Sequence, residues 1–105
     1  MNLDWSNKAW ILYRKMKKSI AKNAGVKIAE DYSTGILDKI DGLLIHPEKY
    51  PPCRNPQFNI RGYRCFTHKK AYTVIYKVEG TLVQILGFIH SRKHPDNQAK
   101  EFFGR

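Results

Sequence analysis

The apolar positions of this chain change period partway along it. Ala9, Leu12, Tyr13, Met16 and Ile20 follow one another at steps of three and four, which predicts a helix with one buried stripe. Ser6 is placed to cap that helix, and residues 23–25 to end it. Ahead of it, residues 2–5 are expected to form a short opening strand. A second stripe is longer: Val26, Ala29, Tyr32, Ile36, Leu37, Ile40, Leu43 and Leu44 face away from Lys27, Glu30, Asp31, Thr34, Asp38 and Asp41. Gly35 and Gly42 weaken this helix by about 1 kcal/mol each relative to Ala without interrupting the stripe. Pro47 is expected to stop it at Ile45 or His46, with His46 as a cation at the helix end.

Residues 46–60 hold Pro47, Pro51, Pro52 and Pro56, show no periodicity, and read as an ordered loop. Beyond them the period is two. Residues 63–67, 71–78 and 82–90 are rich in β-branched and aromatic side chains, and the connections between them are short enough for antiparallel hairpins. The last two strands are apolar on both faces and are expected at the centre of the sheet. Pro95 suits the first turn of a short terminal helix carrying Phe102 and Phe103. The pattern predicts a single α+β domain over residues 1–105, with an N-terminal strand, a helical hairpin packed on a mainly antiparallel sheet of about four strands, and a short C-terminal helix.

With 105 residues, 42% of them hydrophobic, one core can form and a disordered chain is excluded. No run reaches the roughly 18 apolar residues of a membrane span, and the start lacks the basic and apolar regions of a secretory signal. The expected compartment is the cytoplasm, without membrane association. There Cys53 and Cys65 read as two free thiols. Charge adds more. Nineteen Lys and Arg against nine Asp and Glu give a net charge of +10, a field that attracts polyanions. Residues 5–29 and 49–78 each hold seven cations and no acid, flanking a segment at 30–48 with five acids and Lys39 alone opposing them.

Five stretches in order carry a family resemblance: Trp5-Ser6-Asn7-Lys8-Ala9, His46-Pro47-Glu48, Arg61-Gly62-Tyr63-Arg64, Tyr72-Thr73-Val74-Ile75-Tyr76-Lys77-Val78, and Ile85-Leu86-Gly87-Phe88-Ile89-His90-Ser91-Arg92. Across nearly the whole chain this resembles the RelE/ParE superfamily of type II toxins. The resemblance implies a small basic toxin neutralised by a cognate acidic antitoxin that is partly disordered and wraps over it. RelE-like members are ribosome-dependent endoribonucleases acting on mRNA, whereas ParE-like members inhibit DNA gyrase and cut nothing.

The two targets ask for different chemistry. Metal-free RNA cleavage needs activation of the 2′-OH, stabilisation of phosphate charge and protonation of the leaving oxygen. His90 could transfer the proton, with Arg61 and Arg64 as catalytic cations on the phosphate. Arg92, His68, Lys69 and Lys70 could hold the RNA backbone, and no metal or cofactor is expected. On that chemistry the reading leans to ribosome-bound mRNA, with gyrase as the alternative and a non-catalytic nucleic-acid-binding module as a third. Residues 91–94, Ser-Arg-Lys-His, lack the tyrosine that many nuclease members carry after the last strand. Each residue also has a plainer role open to it: His90 tying the sheet to the terminal helix, Arg61 and Arg64 positioning the loop, Tyr72 and Tyr76 packing. His90, His94, Cys53 and Cys65 are too scattered to read as a metal site.

Overall fold

In the computed structural model, which describes residues 1–104, Ser6 caps the first helix as its position predicts. Its hydroxyl accepts from the Ala9 N–H at 3.0 Å, and helix α1 runs Asn7–Ala24 behind strand β1, Asn2–Trp5. Gly25, at φ 100°, turns the chain directly into α2, Val26–Gly42. The buried faces are Ala9, Leu12 and Met16 on α1 and Ala29, Tyr32, Ser33, Ile36 and Ile40 on α2. Two details of the expected second stripe differ. Val26 stands 69% exposed at the hairpin tip, and the helix ends at Gly42 rather than at Ile45 or His46. Residues 43–45 continue as turns, with the His46 N–H donating to Gly42 O at 3.1 Å. His46 therefore lies in the turn beyond the helix.

The loop contains one helical turn, α3 (Pro56–Asn59), capped by Asn55, whose Oδ1 accepts from the Gln57 N–H at 3.0 Å. Strands β2 (Arg64–His68), β3 (Tyr72–Glu79) and β4 (Leu82–His90) follow, then α4 (Pro95–Phe103). The sheet order is β1-β4-β3-β2, so β3 and β4 are the central strands, as their two apolar faces require. The two hairpins are antiparallel, while β1 runs parallel to β4, with the α1–α2 hairpin, the loop, β2 and β3 between them in the chain. The register shifts between Ile75 and Tyr76.

One core joins the layers. Met16, Ile36 and Ile40 belong to one buried cluster with Val74, Ile75, Ile85 and Phe88, and each buried side chain of this size contributes about 1.5–3 kcal/mol relative to exposure. Phe102 of α4 reaches the same core, where a Cβ added at Gly87 would stand 2.7 Å from the Phe102 ring. Among the described residues no helix is long and apolar enough to cross a membrane.

The cysteines correct the sequence reading. Cys53 and Cys65 are joined as a disulfide, with Cα atoms 4.9 Å apart. Spacing along the chain concealed this, because residues 51–53 fold back beside β2 as a short ladder.

Candidate functional site

Sheet register decides which candidate residues can act together. His90 pairs with Tyr72, and Tyr72 with His68, so one end of the sheet gathers the close of β4, the start of β3 and the close of β2. The β2–β3 turn lies at that end. Lys69 and Lys70 occupy it with φ of 49° and 59°, and the Ala71 N–H donates to His68 O at 3.1 Å. Positive φ at both central residues is the condition of a type I′ hairpin turn, which Asn and Gly meet with least strain. Ser91 clamps this turn to β4: its N–H donates to Ala71 O at 2.8 Å, and its hydroxyl to Lys70 O at 2.9 Å.

The His90 ring lies edge-on to Tyr72 at 5.0 Å between centroids, and its Nδ1 accepts from the Arg92 N–H at 3.1 Å. In the neutral ring that acceptor role leaves the proton on Nε2. Beside it a groove of about 360 Å³ opens between α1, the end of β4 with the residues after it, and the last turn of α4, with Lys15, Ser19, Tyr72, His90, Arg92 and Lys93 on its walls. Leu12, Met16 and Phe88 also line it. Glu101 of α4 pairs with Lys93, and with Lys15 at 3.8 Å. Among the described residues no ion pair involves Lys69, Lys70 or Arg92. This end therefore presents a cationic rim beside one imidazole.

The two arginine candidates are held by other contacts, and the register places Arg64 away from His90. Arg64 pairs across β3 with Tyr76, which faces Ile85, five residues before His90 on β4. That separation is about 16 Å along the strands and about 10 Å across them. The Arg64 guanidinium donates from Nη1 to Tyr50 O at 2.7 Å, and that of Arg61 to Gln57 O at 2.6 Å while stacking on Phe103 at 4.2 Å. Both guanidiniums are thus engaged by loop carbonyls, and the strand register sets Arg64 apart from His90.

His68 differs from the expectation of an RNA contact. It is 5% exposed, and neither ring nitrogen has a hydrogen-bond partner. Nε2 lies 2.7 Å from where a Cβ on Gly35 would stand, so α2 covers the ring only because that position is glycine. Burial, then the charges of Lys39 and Lys69, hold its pKa below the ordinary imidazole value. Tyr32 holds the same corner, its hydroxyl donating to His68 O at 2.6 Å and accepting from the Tyr72 N–H at 2.9 Å. Burial raises the pKa of that phenol. Sequence reasoning missed Lys15, Ser19 and Lys93 as neighbours of His90; the acid-free run along α1 was the available signal for the first.

A family model described as ParE toxin of type II toxin-antitoxin system, parDE, matches residues 3–95. No curated protein matches the chain. A solved structure described as the chromosomal ParDE TA system from P. aeruginosa superposes with a TM-score of 0.69 at 20% identity, covering 86% of this chain and 95% of that one. At this identity the likeness concerns the fold.

Proposed function

The chain belongs to the ParE toxin family of type II toxin–antitoxin systems, and from that premise we propose that it arrests growth by binding DNA gyrase rather than by cutting mRNA. The observation that carries this reading is the dispersal of the nuclease candidates. Arg64 is engaged by the Tyr50 carbonyl at the end of the sheet opposite His90, while Arg61, in the loop before β2, is engaged by the Gln57 carbonyl and stacked on Phe103. A phosphodiester spans only a few ångströms, so a proton-transfer group and its phosphate clamps must converge to that scale before proximity accelerates cleavage. A binding toxin needs only a complementary surface. Lys69, Lys70 and Arg92, free of acidic partners among the described residues, supply one on a molecule of net charge +10.

The nuclease alternative retains one favourable observation, the grouping of His90 with Arg92, Lys15 and Lys93 around the groove. We assign neutralisation to a cognate acidic antitoxin that folds on binding and covers this charge. Expression of the toxin in cells, followed by plasmid topology and by primer extension on mRNA, separates the targets. Loss of negative supercoiling with intact mRNA is expected; discrete mRNA ends with normal supercoiling would overturn the gyrase assignment.

A further inference from the structure

The disulfide sits at a mechanical junction. The Cys53 N–H donates to Tyr63 O at 2.9 Å, the Cys65 N–H to Pro51 O at 3.3 Å, and Pro52 bridges Arg64, so residues 51–53 add a short antiparallel rung to the outer edge of β2. The bond closes that rung. Contacts then lead outward to α4. Asn59 Nδ2 donates to Cys53 O at 2.8 Å, and Asn55 Nδ2 to Pro95 O at 2.9 Å, on the first residue of α4. Phe58, between them, packs against Phe102 at 5.3 Å and Phe103 at 5.7 Å. The segment pinned by the disulfide is therefore the segment that holds the C-terminal helix, whose Glu101 engages Lys15 and Lys93 in the groove beside His90.

We propose that Cys53 and Cys65 form a reversible redox-modification site, opened by a dithiol reductant, whose state sets how firmly residues 51–63 hold α4. Access supports this. A groove of about 310 Å³ runs past the bond, with Cys53, Cys65, Phe58, Thr67, Thr73 and Gln98 among its walls. Cys53 is buried at 1% exposure and Cys65 is partly exposed, which directs attack to the Cys65 Sγ. A thiolate of the dithiol bonds to that sulfur, the S–S bond breaks, and Cys53 leaves as a thiolate that takes up a proton. The donor's second thiol, losing its proton, then attacks the mixed disulfide. Cys65 is released as a thiolate and protonated, and the donor becomes its own disulfide. Two electrons and two protons have passed to the toxin. In a reducing compartment such a bond is a sensor rather than a permanent staple. Its release frees α4 and withdraws Glu101 from the cations, so the charge offered at the sheet end rises when the latch is open. None of this depends on gyrase being the target.

The test uses the full chain purified without reductant, alkylated before and after dithiothreitol, with amide hydrogen exchange followed in both states and in a Cys53→Ser/Cys65→Ser variant. Alkylation is expected only after dithiothreitol, at two sites. Exchange at residues 53–62 and in α4 is expected to accelerate roughly tenfold or more on reduction, with α1 and β3 unchanged and the double variant matching the reduced protein. Alkylation of both cysteines without reductant would overturn the proposal. So would equal exchange of α4 in all three forms, or acceleration spread through α1 and β3, which would mark a global staple.

Discussion

His68 and Tyr32 illustrate how one residue can be visible in a sequence while its work is not. The helical stripe identifies Tyr32 as buried, yet nothing local reveals that its hydroxyl ties the end of β2 to the start of β3. Tyr32→Phe leaves the Tyr72 N–H and the His68 carbonyl without that partner, and we expect denaturant unfolding to register a loss of about 1–3 kcal/mol. His68 sits next to Lys69 and Lys70 and reads as surface, because the glycine that admits its ring lies 33 positions earlier, on α2. Gly35→Ala should cost about 1–3 kcal/mol through the forced contact with Nε2. The pH dependence has a definite sign. The folded-state pKa lies below the unfolded value of about 6.5, so the unfolded chain binds more protons between the two. The contribution is fully present above about pH 6.5 and is lost as pH falls from there through the lowered value. Tyr32 and Tyr72, Gly35 backbone, Lys39 and Lys69 surround the ring, and none supplies a carboxylate that would reverse the effect. Urea midpoints between pH 8 and pH 5 should fall more steeply for the parent than for His68→Gln; parallel curves would refute the buried, proton-excluding role.

Elements were legible where their signals are local. Ser6 marks the start of α1, the change to period two marks the sheet, and Pro95 opens α4. The end of α2 was less so, since Gly42 and the turns after it stop the helix before Pro47 can. The parallel pairing of β1 with β4 joins residues 80 positions apart, and the disulfide depends on a fold-back at proline-rich residues; neither leaves a periodic trace. The β2–β3 turn makes its own prediction. Two lysines with positive φ cost about 1–2 kcal/mol each relative to residues suited to that backbone. Lys69→Asn/Lys70→Gly should therefore raise the melting temperature while weakening growth arrest, because the same change removes two cations from the proposed contact surface. A variant that is more stable and equally toxic would separate this turn from function. At the far end, Phe102→Ala should cost about 3–5 kcal/mol by emptying the space between Gly87 and Phe58, measured by equilibrium unfolding.

For the molecule as a whole, the order of motifs carried the resemblance to the toxin superfamily, and the match to the ParE family over residues 3–95 bears that out. Choice of target was not legible, because Arg64 and His90 look like one set in sequence and only the strand register separates them. That separation predicts different consequences for similar substitutions. Arg92→Glu should abolish growth arrest with little change in melting temperature, whereas Arg61→Ala should lower stability modestly by releasing Gln57 and Phe103 while the folded protein stays toxic. The distinction between a binder and a catalyst is one of stoichiometry. The most direct measurement is a titration of purified toxin into a gyrase supercoiling reaction and, in parallel, into a translation mixture read by primer extension. Supercoiling should decline in proportion to added toxin and stop near equivalence with gyrase, while the mRNA stays intact. Cleavage of many mRNA molecules per toxin, with supercoiling undisturbed, would contradict the account.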